Sequence, residues 1–191
     1  MKSVRNLKAF ILSVAIYLTW TGLAGTVYSQ DQEWDVFSTR FCTIFYEKGV
    51  GLEAINRRIN LRFSNFYNPR GFRRNAGLSI EEILSEKFDS IFAKVEDILD
   101  MYPSRVHLRI NIYKTSSGLD KAYWEIFNEP NQADSFYIYK TNTIYTLESD
   151  ISQKILAHEM AHCIIDHYFV ILPPRKIQEI LAVYADVHLN D

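Results

Sequence analysis

The chain is poor in the residues that mark non-globular proteins. Its 191 residues include only seven glycines, five prolines and two cysteines, and no segment repeats at the period of a solenoid. These features exclude a collagen-like or low-complexity chain. A hydrophobic content of 48%, with 14% aromatic residues, is instead typical of a globular protein that buries a sizeable core. We therefore expect one domain.

Long hydrophobic runs are missing except at the N-terminus. Residues 9–25 carry no charge and follow a basic start, which is the pattern of a secretory signal. Small residues just before Gln30 predict cleavage there, although a run of this length would also serve as an uncleaved signal anchor. We expect residues 1–29 to be the signal peptide or anchor and residues 30–191 to form a domain outside the cytoplasm, periplasmic or secreted. Membrane contact is expected only through that anchor.

Basic residues are in the minority. The chain holds 21 Lys and Arg against 23 Asp and Glu, and three of the basic residues but none of the acidic ones lie in residues 1–29, which leaves a net charge of −5 on the remainder. This balance argues against nucleic acid as a partner, because phosphate binding needs a basic face. The local exception is a group of arginines, Arg57, Arg58, Arg62, Arg70, Arg73 and Arg74. We interpret the group as a solvated surface.

The two cysteines, Cys42 and Cys163, leave two interpretations open. An oxidising compartment would permit a disulfide between them, although the sequence cannot place their Cα atoms within bridging distance. Buried free thiols are the other interpretation. Cys163 directly follows a histidine of the motif described below, but adjacent helical positions point about 100° apart, so we do not expect it to bind the same metal.

Hydrophobic periodicity predicts a mixture of strands and helices. Alternating apolar residues predict strands at residues 41–46, 106–113, 136–139 and 143–147, the last two joined as a hairpin. Helical spacing and capping residues predict helices at residues 79–101, 151–168 and 175–189. Residues 56–77 are expected to be mostly irregular. The order of these elements predicts an α+β fold.

The helix at residues 151–168 contains the H-E-x-x-H pattern, with His158 and His162 as its histidines. Residues at positions i and i+4 share a helix face, so both imidazoles can reach one ion. Glu159 is offset by one position and would instead face a water on the open side of that ion, where it acts as a base. Apolar neighbours place the helix in the interior, where such a cluster is costly without a metal. We therefore predict a zinc site.

A catalytic zinc ion normally has three protein ligands. The candidates downstream are Asp166, His167, Glu179, Asp186 and His188. Asp166 and His167 follow the motif too closely on its own helix to turn back, so we expect the last helix to supply the ligand. The apolar neighbours of Glu179 indicate burial, and a buried glutamate needs a cation. Asp186 would hydrogen-bond a ligand imidazole, or be a plain surface acid.

These residues resemble the gluzincin branch of the zincin metallopeptidases, especially the compact peptidase MA-like families. The last helix of those families reads Glu-Gly-x-Ala-x-Tyr-x-acidic, and this chain matches it at Glu179, Ala182, Tyr184 and Asp186. It departs at Ile180, where the families have glycine. The resemblance implies a compact zincin-like domain, with a small mixed or antiparallel sheet packed on the motif helix and a C-terminal helix that supplies the third ligand. It also implies that residues 143–147 form the edge strand to which an extended peptide adds.

We therefore expect a zinc metallopeptidase that acts on a peptide or protein substrate. Zn²⁺ would be held by His158, His162 and Glu179, with Glu159 as general base. The residue that stabilises the oxyanion stays open among Tyr145, Tyr168, Tyr184, His167 and His188. A non-catalytic, zinc-stabilised binding module is the alternative, and an envelope structural protein without metal is a third hypothesis.

Overall fold

A computed structural model of the protein describes residues 33–61 and 77–190. The predicted signal segment and most of the arginine group lie outside the described residues. The described part belongs to one compact unit that begins at Gln32. Within it, no helix combines the length and the apolar character needed to cross a bilayer.

A five-stranded mixed sheet forms the centre of this unit. The strands are β1 (Trp34–Ser38), β2 (Cys42–Glu47), β3 (Leu108–Tyr113), β4 (Ser135–Ile138) and β5 (Thr143–Leu147). Their spatial order is β1-β2-β3-β5-β4, with β2, β3 and β5 parallel and the two outer strands antiparallel to their neighbours. The expectation that residues 143–147 form an edge is therefore wrong. A 3-10 turn, Tyr139–Thr141, joins β4 to β5, and because β5 pairs with β3 on its other side, β4 takes the edge instead.

Five α-helices accompany this sheet in the described chain. They are α1 (Leu52–Arg58), α2 (Ile80–Leu99), α3 (Ser116–Phe127), α4 (Gln153–Tyr168) and α5 (Arg175–Val187). A capping box starts α2, because the Ser79 hydroxyl accepts from the Glu82 N–H at 3.2 Å while the Glu82 carboxylate accepts from the Ser79 N–H at 2.7 Å. Ser152 starts α4 in the same way, with its hydroxyl accepting from the Ile155 N–H at 3.3 Å.

The main core lies between one face of the sheet and the helices α2, α4 and α5. Ile110 and Ile144 from the central strands belong to one buried cluster with Phe88 and Phe92 from α2, and all four are fully buried. Each such side chain contributes roughly 1.5–3 kcal/mol of burial free energy. The opposite face is aromatic and leads to α3. Its rings run in contact from Trp34 through Tyr113, Tyr145 and Phe136 to Tyr123.

The elements with strong periodicity are found where the sequence predicts them, and the α+β class is confirmed. Three shorter elements, β1, α1 and α3, were not predicted. β1 is a short edge strand that starts among polar residues, and α1 opens without a side-chain cap. Its last three residues, 56–58, are the helical part of the range 56–77, which was predicted to be mostly irregular and which lies largely outside the described residues. α3 does carry a usable signal, since the Thr115 hydroxyl accepts from the Gly118 N–H at 3.3 Å.

Cys42 on β2 and Cys163 on α4 are both buried free thiols, so the second of the two interpretations holds in the structure. Burial raises the pKa of each thiol, which keeps both in the unreactive protonated form. The Cys163 thiol donates to Oδ1 of Asn142 at 3.1 Å. The two cysteines therefore act as small core residues.

Glu96 on α2 is a carboxyl whose ionisation opposes folding. Burial, partly offset by Arg40, raises its pKa from 4.5 to about 7. Between these two values the folded protein holds a proton that the unfolded chain releases. Stability should therefore fall as the pH rises across this window.

We predict that Glu96→Gln removes part of this fall in stability, because the amide has no charge to desolvate. The variant should unfold at a higher urea concentration than the wild type at about pH 8 and close to the wild-type value at about pH 5. Glu86→Gln, at an exposed position on the same helix, is the control and should keep the wild-type pH dependence. If the stability of Glu96→Gln changed with pH as much as that of the wild type, Glu96 would not be the group responsible.

Candidate metal centre

Helix α4 is buried on nearly every side. It packs against α2, α5 and β4, and Ala157, Met160, Ala161, Ile164 and Ile165 are fully buried. A helix enclosed in this way has little freedom to rotate or shift. The side chains of the H-E-x-x-H pattern are therefore presented from a fixed backbone.

The three candidate ligands meet at one point. Nε2 of His158 and Nε2 of His162 each lie 3.6 Å from the same carboxylate oxygen, Oε2 of Glu179. The ligand atoms of all three residues fall within 4.8 Å of one another. Three ligands that surround one zinc ion at its usual bond lengths are about 3.3 Å apart. The two distances from a histidine nitrogen to the glutamate oxygen are thus close to what a single ion requires.

His162 is the more buried of the two imidazoles, with 6% of its surface exposed. Burial lowers its pKa to about 4, so the ring is neutral at physiological pH. The neutral imidazole is the form that binds a metal ion. His158, whose side chain is 25% exposed, lies one turn earlier, with its ring 5.0 Å from that of His162.

Asp186 on α5 fixes the second imidazole. Its Oδ2 lies 3.2 Å from Nδ1 of His158. A proton on Nδ1 satisfies this hydrogen bond and leaves the lone pair of Nε2 free to face the cluster. At 21% side-chain exposure, Asp186 is not the plain surface acid of the alternative interpretation.

Glu179 is less buried than the sequence predicted, because 40% of its side chain is exposed. The apolar neighbours used to infer its burial, such as Ile180 and Val183, lie on the outer face of α5 and are themselves exposed. Instead, Arg175 accompanies Glu179 and donates from Nε to its Oε1 at 2.8 Å. Although burial acts in the opposite direction, His162 and Arg175 lower the pKa of Glu179, so the carboxylate is charged.

Glu159 lies beside the cluster and outside it. Only 8% of its surface is exposed. Burial raises its pKa to about 7, and this rise is reduced by His158 and by a hydrogen bond from the backbone N–H of Tyr137 on β4. A carboxyl with a pKa near neutrality can both accept and return a proton.

A cavity of about 860 Å³ opens on His158, His162, Glu179 and Glu159. This volume is within the range of small-ligand and substrate sites. Its walls are the edge strand β4, the C-terminal end of α3 and the first turn of α5. Two cations, Lys140 and Arg175, line it together with apolar groups that include Ile126, Phe127 and Leu172.

The residues considered for the oxyanion lie elsewhere. Among the described residues that line the cavity, none is Tyr145, Tyr168, Tyr184, His167 or His188. Tyr145 stacks on Phe136 in the aromatic layer. Arg175 is the residue that sequence reasoning missed. Its position four residues before Glu179 is the helical spacing of an ion pair and could have signalled it.

We predict that zinc stabilises the folded protein through this cluster. Excess zinc should raise the thermal midpoint of the wild type, by the equivalent of about 2.7 kcal/mol at a hundred times the dissociation constant. His162→Ala should abolish the shift. His167→Ala, at an exposed position one turn further along α4, should keep it. A shift that survives His162→Ala would show that zinc binds elsewhere.

Comparison of the chain with protein-family models, with curated proteins and with solved structures finds no match.

Proposed function

We propose that this chain is a zinc-dependent metallopeptidase that acts outside the cytoplasm. One observation supports this above all others. His158 and His162 direct their Nε2 atoms to within 3.6 Å of one Glu179 oxygen, and Glu159 lies beside them in the same cavity. Two neutral imidazoles and one carboxylate form the donor set of many zinc hydrolases. A site that only stabilised the fold would have no use for a buried carboxyl next to it.

The chain's own residues supply the proton transfers. A zinc ion, when bound, would polarise the scissile carbonyl and make a water more acidic. Glu159 accepts the proton of that water and later donates it to the leaving nitrogen, which its pKa of about 7 suits at neutral pH. Asp186 holds His158 in the tautomer that presents Nε2 to the metal.

The substrate would add to the sheet along β4. This strand is the sheet edge within the described chain, and it forms one wall of the cavity. An exposed edge offers backbone N–H and C=O groups to an extended peptide. A peptide paired with β4 would pass Glu159, to which the Tyr137 N–H is already bonded.

Arg175 is our candidate for the group that stabilises the developing oxyanion. Its Nε is used by Glu179, but its guanidinium has four further N–H donors. It borders the cavity, where the five residues considered from the sequence are not found. A cation at this place would lower the energy of a negatively charged intermediate.

A non-catalytic binding module with the same cluster is the second candidate. None of the five oxyanion residues considered from the sequence is among the described lining residues, and this favours the binding module. In that case zinc would stabilise the fold and β4 would hold a partner peptide without cleaving it. The next experiment separates the two.

We predict that Glu159→Gln keeps zinc and loses cleavage. The amide cannot accept the proton, so turnover of a peptide library should fall about 10²- to 10⁴-fold, while the zinc content stays at that of the wild type. Glu129→Gln, at an exposed position before β4, is the control. Undiminished cleavage by Glu159→Gln would end the proposed mechanism. A wild type that binds zinc and cleaves no peptide would favour the binding module.

The apolar end of α3 predicts a preference for a large apolar side chain near the scissile bond. Phe127 is 40% exposed and lines the cavity with its ring against Tyr123 and Phe136. Phe127→Ala should lower kcat/KM about tenfold for peptides with such a side chain and little for those without it. Trp124→Ala, exposed on the same helix but away from the cavity, should leave the profile unchanged. An equal loss of kcat/KM on all peptides would show that Phe127 does not select the side chain near the scissile bond.

A further inference from the structure

The turn between α4 and α5 projects three consecutive aliphatic side chains into solvent. Val170 is 102% exposed, Ile171 is 85% exposed and Leu172 is 39% exposed. The two prolines that follow prevent the turn from continuing as a helix. The carbonyl of Pro173 accepts from Nε2 of Gln178 at 2.8 Å, which ties the base of the turn to α5. We call Val170, Ile171 and Leu172 the apolar tip.

The outer face of α5 also carries exposed aliphatic side chains. Ile180, Val183 and Val187 are 55%, 48% and 57% exposed, and their helical spacing puts them on one side. The opposite side carries the small residues Ala182 and Ala185, which are fully buried. The larger aliphatic residues thus face outward. Apolar surface of this extent marks a contact with a protein or a membrane.

Positive charge follows the tip directly. Arg175 and Lys176 open α5, and both are exposed, but Arg175 is paired with Glu179, so Lys176 supplies the positive charge of the outer face. In the described chain no hydrogen bond or ion pair engages Lys176, and its position four residues before Ile180 places it on the outer face. The acids of α5, Glu179 and Asp186, are turned the other way, towards the histidines. Aliphatic side chains flanked by basic ones are the combination that binds anionic lipid surfaces.

We propose that the apolar tip inserts into the headgroup region of an anionic bilayer, with the outer face of α5 along its surface and Lys176 against lipid phosphates. A tip that protrudes suits a penetrable surface better than the flat face of a second copy. The N-terminal sequence also leads the chain to a membrane. If residues 9–25 are retained as an anchor, the seven residues that connect them to the described domain span at most about 25 Å.

Docking of this kind would bring the candidate metal centre to the bilayer. Leu172 of the tip and Arg175 also line the cavity, so the cavity and the tip share a border. If the proposed function holds, the substrates would be peptide segments close to the membrane surface. The docking itself depends on neither zinc nor cleavage.

Vesicle sedimentation tests the proposal with the chain from Gln30 onward, which contains every described element. Wild-type protein should sediment with vesicles of equal phosphatidylglycerol and phosphatidylcholine. The double variant Val170→Ser, Ile171→Ser should bind at least about tenfold more weakly. Lys176→Glu should bind these anionic vesicles at least about fivefold more weakly, and it should bind vesicles of phosphatidylcholine alone as the wild type does. Val36→Ser, exposed on β1, and Lys154→Glu, exposed at the start of α4, are matched controls that should bind as the wild type does.

Other occupants of this surface would give different results. A wild type that stays in solution, or a double variant that binds equally well, overturns the proposal. A dimer seen by analytical ultracentrifugation and lost in the double variant would assign the surface to a second copy and overturn it too. If the double variant had a clearly lower thermal midpoint without lipid, Val170 and Ile171 would stabilise the fold by packing against another part of the chain. That result would also overturn the proposal. Glu159→Gln should sediment like the wild type, which separates this test from that of the proposed function.

Discussion

The enclosure of α4 by α2, α5 and β4 is the constraint on which the site depends. Two imidazoles and a carboxyl on an exposed helix would be solvated and free to change rotamer. On α4, His162 and Glu159 are desolvated, so burial keeps His162 neutral and raises the pKa of Glu159 to about 7. A metal ion would restore the favourable electrostatic interactions that burial removes. The same packing that stabilises the domain thus prepares the ligands.

Much of this arrangement could be predicted because its causes are local. The i, i+4 spacing of His158 and His162 fixes a common face whatever the rest of the chain does. Strict alternation at residues 106–113 likewise predicts a strand, and the capping box at Ser79 predicts the start of a helix, without information from the rest of the chain. Glu179 was selected correctly as a member of the cluster, but for a wrong reason. Its apolar neighbours face solvent, and its side chain is 40% exposed, with the carboxylate paired with Arg175 rather than buried.

The features that were missed depend on contacts between distant parts of the chain. Which hairpin strand becomes the edge is decided by the pairing of β5 with β3, and no residue within the hairpin specifies that pairing. The helix α3 itself could have been predicted, because its apolar residues repeat at helical spacing, but its place as one wall of the cavity follows from its packing on the aromatic face of the sheet. The position of Arg175 at the cavity follows from the docking of α5 on α4. Such long-range choices are not encoded in periodicity.

The small side chains on the inner face of α5 have a consequence for the whole centre. Ala182 and Ala185 are fully buried in the core, and side chains without branches allow two helices to approach closely. They act as spacers that set how far the α5 carboxylates reach towards the α4 imidazoles. A larger side chain at either position would push α5 away from α4 and would carry Glu179 and Asp186 away from the imidazoles together, which would open the candidate metal centre without any change in its ligands.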